Sequence, residues 1–376
     1  MAPLYAAVAH GCEAGRHQEA LVEIYYKRIC RERQFFSTQK LGAFGADLAA
    51  LIVFFAKPWQ QPITALTDDA KSFVLGIAGF RLRVLGRLTE AVQPMQAGLE
   101  SALLLKNWEN AAIAAGNLSE LYLAIGDLLQ ALSYAEKSVQ LADKSGDSFQ
   151  RAGKRTTLAN ALHQEGRLSD AEAAFRKAEQ IHTERQPDSP LLYSLPGFRY
   201  CDLLLSQGKY SEVQTRAAQI LQWANQMTGV GLLDIALIHL SLGQAYLLDA
   251  LQEGTEDFNG AAEQLNRAIE GIRLAGTIEQ LPRGLLARAE MHRVKREFNR
   301  ALADLDEAMD IATRGSMGLY QADCHLEYAQ LHLAQGEKKK AQENWAKAKE
   351  MIERMGYHRR DKDVVEIERQ LEKMPG

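Results

Sequence analysis

Between Ala112 and Ala142, Leu118, Leu121, Tyr122 and Ile125 recur at three- and four-residue spacing, which places them on one helix face. Gly126-Asp127 breaks that pattern. A second amphipathic run follows, with Leu128, Ala131, Leu132, Ala135, Val139 and Leu141-Ala142 on its inward side. Two antiparallel helices joined so tightly form a hairpin that cannot bury both apolar faces alone. The pattern recurs. Gly86, Gly126 and Gly166 stand 40 residues apart, and Gly208 and Gly336 mark further turns. Ala91, Ala131, Ala171 and Ala341 each follow their glycine by five residues, and Met95, Ala135, Phe175 and Trp345 come four later. Ala261/Leu265/Ala268 and Ala301/Leu305/Ala308 keep the second helix without the glycine. Small residues let paired helices approach, and the larger residue reaches the next hairpin. The expectation is an all-α, right-handed α-solenoid of seven or eight hairpins, about seventeen helices, and no β-sheet.

The ends depart from the pattern. Leu4 to Arg33 reads as a first hairpin turning at Gly15-Arg16, and Leu41 to Ala56 as a solitary buried helix containing one charge, Asp47. Lys57-Pro58-Trp59-Gln60-Gln61-Pro62 cannot continue a helix, because proline lacks the N–H and clashes with the preceding turn. Thr67 is an expected N-cap with Asp68 and Asp69 in the first turn. Residues 1–66 therefore read as an atypical N-terminal cap, 67–356 as the repeat array and 357–376 as a C-terminal capping helix whose apolar residues are Val364, Val365, Ile367 and Leu371. Within the array, Gln186-Pro187-Asp188-Ser189-Pro190 reads as a loop, and Ser194-Leu195-Pro196-Gly197 shortens the helix after it. Gln252 to Asp257 reads as an inserted turn. The chain enters a repeat at once, leaving open whether it is a piece of something longer or free-standing.

Composition narrows function chiefly by exclusion. The 376 residues are 47% hydrophobic and 24% charged with net charge −4, so no overall field favours nucleic acid or an anionic membrane. No apolar run reaches the roughly 20 residues of a membrane span without a charge. Cys12, Cys30, Cys201 and Cys324 are scattered, without a C-x-x-C pair, as in buried thiols of a reducing cytoplasm. Gly146 to Thr156 imitates a P-loop, but six residues separate Gly146 from Gly153 and Arg155 stands where the hydroxyl belongs. Cys324, His325, Glu327 and His332 lack the three- or four-residue histidine spacing of a metal site. No nucleophile elbow is present. Lys338-Lys339-Lys340 reads as a solvated face. The expectation is no catalysis, cofactor, metal or nucleotide.

Leu242-Gly243 with Tyr246, and Ala171 with Phe175, resemble the Leu-Gly-x-x-Tyr and Ala-x-x-x-Phe signatures of tetratricopeptide repeats. The resemblance runs from Leu4 to Met355, with a period near 40 rather than the common 34 residues. The wording of GNLSELYLAIGDL, RTTLANALHQEGR and PLLYSLPGFRYCDLLL is also similar to the repeat arrays of bacterial STAND-type signalling and defence proteins. The family resemblance implies that the first helix of each hairpin lines a concave surface holding a protein or peptide segment. On that surface it would place Asn117 and Glu120 (third repeat), Thr156 and Asn160 with Arg155 at the edge (fourth), and Arg199 and Asp202 (fifth). Gln244, then Glu290 and Arg293, then Gln330 would follow from the sixth to eighth. Asparagine amides can bond an extended backbone, and arginine can clamp a carboxylate. Asn117, Asn160 and Arg199 are the expected centre of the groove. The alternative is a scaffold acting through its ends or convex face, self-association included.

Overall fold

A computed structural model describes residues 1–226 and 230–374. It opens with α1 (Ala2–Glu13), then α2 (His17–Glu19), which continues as a π-helix over Ala20–Ile29. Short helices α3 (Phe36–Gln39) and α4 (Phe44–Leu51) follow. Seven hairpins then run in order: α5 (Asp68–Val84) with α6 (Leu88–Leu104), α7 (Trp108–Ile125) with α8 (Leu128–Ser145), α9 (Ser148–Gln164) with α10 (Leu168–Arg185), and α11 (Ser194–Ser206) with α12 (Tyr210–Gln226). The last three are α13 (Leu232–Glu253) with α14 (Asn259–Leu274), α15 (Leu281–Val294) with α16 (Phe298–Arg314), and α17 (Gly318–Ala334) with α18 (Lys338–Met355). Helix α19 (Asp361–Lys373) closes the chain. The molecule is a helical-repeat solenoid.

Local chemistry explains the helix starts. Thr67, Asn107, Asp127 and Asp147 each accept a bond from the backbone N–H three residues on, satisfying a donor the helix leaves unpaired. Within hairpins, small residues carry the close approaches. Gly79 lies so near Met95 that a Cβ there would overlap its side chain. Phe175, fully buried, stacks on Tyr200 with centroids 5.0 Å apart, joining the α9–α10 hairpin to the α11–α12 hairpin. Helix α13 is long and apolar enough to cross a membrane by length and composition, with mean hydropathy 1.3. Its Leu237, Leu240 and Leu247 are buried in a core shared with Ala261 and Leu265 of α14, so packing accounts for that apolarity.

Two expectations need correction at the N-terminal end. The run from Leu41 to Ala56 is not one helix: α4 stops at Leu51, a 3-10 turn spans Ile52–Phe54, and the chain becomes extended. The strands β1 (Phe55–Lys57) and β2 (Gln61–Pro62) then form a small antiparallel hairpin where no sheet was expected. The prolines that forbid a helix leave extended backbone, which pairs around the turn. Asp47, the charge in the apolar run, is fully buried. It accepts bonds from Tyr25 Oη (2.7 Å), Ser37 Oγ (2.9 Å) and Arg81 Nε (2.9 Å), so it ties this segment to α5.

The solenoid also closes on itself. A Cβ on Gly126 would overlap Met355 Sδ, and one on Gly318 would overlap the Ile125 carbonyl. Gly86 lies against Met317, Gly166 against His358, and Gly42 against Leu274 and Ala275. The turn glycines that mark the repeats thus have a second role. Their lack of a side chain lets the hairpin tips of the first half abut the second half, and the first helices face one another across a narrow interior.

Candidate functional site

That interior is a cavity of about 480 Å³, walled by α5, α7, α9, α11, α13, α15, α17 and α19. Its volume falls in the range of pockets that enclose small ligands, about 300–1,000 Å³. Of the expected inner residues, Glu120, Asn160, Arg199, Asp202, Gln244, Glu290, Arg293 and Gln330 line it. Asn117, Arg155 and Thr156 do not. Arg155 stands five residues from Asn160, about 140° round the helix, and reaches back to Asp143 at 2.8 and 2.9 Å. The Thr156 hydroxyl is buried and donates to the Gly153 carbonyl at 2.7 Å. Asn117 is half-buried beside the wall.

Most charges in the cavity are matched by the chain itself. Glu120 accepts from Arg83 (2.5 Å) and pairs with Arg199 (2.6 Å), while Glu279 stands 3.5 Å from Arg83. Burial would raise the Glu120 carboxyl, but Arg199 and Arg83 outweigh it and hold it down to about 2. Asp202 takes a bidentate pair from Arg359 at 2.6 and 2.8 Å, and Arg359 also reaches Gln164 at 3.2 Å. Burial opposes the Asp202 charge, and Arg359 overrides it, leaving the carboxyl well below the usual range. Asp323 is held by Arg360 at 2.7 Å and by the Tyr357 hydroxyl. Asn160 accepts from Gln164 at 3.2 Å. Several expected contact groups are therefore occupied by partners up to 157 residues away in the chain.

The wall near α15 differs. Among the described residues Arg283 donates only to the Tyr320 hydroxyl (2.9 Å), lies over the Phe198 ring at 4.8 Å and the Tyr320 ring at 5.7 Å, and has no ion pair. Further along α15, Arg293 serves two carboxylates, Glu327 at 2.5 Å and Glu290 at 3.9 Å. Burial chiefly, with Glu290 adding to it, pushes the Glu327 carboxyl up to about 7 despite Arg293. Gln244 and Gln280 each present a buried Oε1 with no hydrogen-bond partner.

Sequence reasoning missed Arg83, Glu279, Arg283, Asp323 and Arg359. Part of the signal was present. Glu120, Asn160, Asp202 and Gln330 each stand six residues before their turn glycine, and Glu290 stands six before Arg296, which holds the turn with φ of 59°. Two helical turns earlier on that stripe come Leu195, Arg283 and Asp323. Extending the stripe by seven residues reaches them. Arg359 had no such signal, because it lies in the cap and arrives through closure.

Among the described residues no group of three His, Cys, Asp or Glu side chains could hold a metal ion. The four cysteines are buried and free, and burial pushes the Cys201 thiol up to about 11.

No family model matches the chain, and no curated protein matches it. Similar solved structures include the Rap conjugation gene regulator of plasmid pLS20 in complex with the Phr* peptide, at TM-score 0.57 and 13% identity, covering 94% of this chain and 96% of that one. Another is a Rap protein complexed with Competence and Sporulation Factor, at TM-score 0.45 and 13% identity, over 99% and 95% of the two chains. BtubC (BKLC) from P. vanneervenii aligns at TM-score 0.40 and 15% identity, over 73% and 91%. The likeness to the plasmid regulator concerns fold. It places the chain among tetratricopeptide-like helical-repeat solenoids.

Proposed function

We propose that the chain is a non-catalytic peptide-binding module whose internal cavity holds a short peptide or the end of a protein segment. The observation that carries this reading is the partly open cavity lined by all the first helices from α5 to α17, with Arg283 on α15 left without a carboxylate partner among the described residues. The fold shared with a regulator solved with a Phr* peptide supports the same use. A place as the ligand-sensing or partner-recruiting part of a bacterial signalling or defence protein, in the cytoplasm, belongs to this proposal.

The test is retention of peptide. Protein mixed with a pool of random synthetic tripeptides and tetrapeptides is passed through gel filtration, and bound peptides are identified by mass. Leu286 lines the cavity, so Leu286→Trp should fill it and retain none of what the native chain retains. Equal retention by both would move binding to the convex face or the ends, and the scaffold reading would lead.

A further inference from the structure

The unmatched groups on the cavity wall are not scattered. Arg283 and Glu290 are seven residues apart on α15, so they share one face about 10 Å apart along the helix axis. Both line the cavity, with Leu286 and Ala287 between them. At one end the Arg283 guanidinium bonds only a phenol, because the nearby carboxylates Asp202 and Glu279 are engaged by Arg359 and Arg83. Gln280, 9% exposed, has its unpartnered Oε1 beside that end, one helical turn before Arg283. At the other end Glu290 and Glu327 share the single guanidinium of Arg293, which leaves one carboxylate in excess once Glu327 has lost its proton. The site is therefore dipolar: a cation short of an anion, and about 10 Å away an anion short of a cation.

Resting on the peptide-binding reading above, we propose that this wall recognises a free short peptide at both ends, its α-carboxylate on Arg283 and its α-ammonium on Glu290. An extended chain advances about 3.3–3.6 Å per residue, so about three residues span the distance. Guanidinium and carboxylate meet in charge-assisted, bidentate geometry, which is stronger than neutral bonding. Leu195, Phe198 and Leu286 give the peptide's side chains an apolar surface. A longer chain threading through, or a peptide with blocked ends, leaves both poles unmet.

Native mass spectrometry of the full chain tests this with three pools of the same tripeptides and tetrapeptides: free-ended, N-acetylated and C-amidated. Each blocked pool should be retained about tenfold less than the free one, the value of one lost charge-assisted contact. Arg283→Gln should lose only the discrimination against amides, and Glu290→Gln only that against acetylated peptides. Circular dichroism checks that each variant is folded, and if one is not, the native chain with the blocked pools decides alone. Equal retention of free and blocked peptides overturns two-ended recognition while leaving the cavity as a peptide site. Retention of lysine-containing acetylated peptides overturns the assignment of the ammonium to Glu290. No retention from any pool overturns both readings.

Discussion

The two walls of the cavity are both built mainly from first helices of the repeat yet behave oppositely. On the α7 and α11 side, Arg83, Glu120, Arg199, Asp202 and Arg359 neutralise one another through pairs at 2.5–2.8 Å. On the α15 side, Arg283 has no carboxylate partner among the described residues and two carboxylates divide one arginine. The first set includes links between hairpins far apart in the chain, Arg359 to Asp202 and Arg83 to Glu279, and works as closure. The second lies largely within α15 and α17 and bridges nothing distant, so its charges remain for a ligand. A charged inner stripe in a solenoid is thus not by itself a binding surface; what matters is which charges the superhelix has already consumed.

The largest effect should come from breaking the matched side. Glu120→Gln leaves two buried guanidiniums facing one remaining carboxylate, and should cost about 3–5 kcal/mol in denaturant unfolding. Because the folded Glu120 pKa of about 2 lies below its ordinary value, its contribution is present above about pH 4.5 and is lost as pH falls towards 2. The native melting temperature should drop across that window, and the variant should show a shallower drop.

An intermediate effect is expected at Glu327, with the opposite sign. Its folded pKa of about 7 lies above the ordinary value, so the folded state favours the proton. Stability should decline as pH rises from about 4.5 to 7 and then level, by roughly 1–3 kcal/mol. Glu327→Gln should flatten that slope in melts taken from pH 5 to 8. A slope unchanged by the substitution would assign it elsewhere.

The smallest effect sharpens the contrast. Arg283→Gln gives up one phenol bond and two aromatic contacts but also removes a buried charge without a carboxylate partner, so it should change stability by less than about 1 kcal/mol. A loss comparable with that of Glu120→Gln would show that Arg283 is structural, and the distinction between the walls would fall.

The repeat was legible because it is local. Glycine, alanine and large-residue spacings report contacts within a hairpin and to the next one, which is where most of the core lies. Thr67 was readable as a cap for the same reason, since its partner is three residues away. Eight of the eleven expected inner residues line the cavity, and five of them stand six residues before the turn, a fixed rotation on the helix. Closure was not legible. Met355 against Gly126 and Arg359 against Asp202 depend on the accumulated rotation of several hairpins, which no single spacing records. The β-hairpin at Phe55 is not legible because the apolar run continues to Ala56, past the point where the extended backbone begins at Phe55.

Backbone hydrogen exchange on the full chain, with and without a saturating free tripeptide selected from the pool, tests the central claim most directly. Added protection confined to α11, α13, α15 and α17, with α10 and α16 on the outside unchanged, is the expected result. Protection on the outer helices, with none on α15, would contradict an internal peptide site.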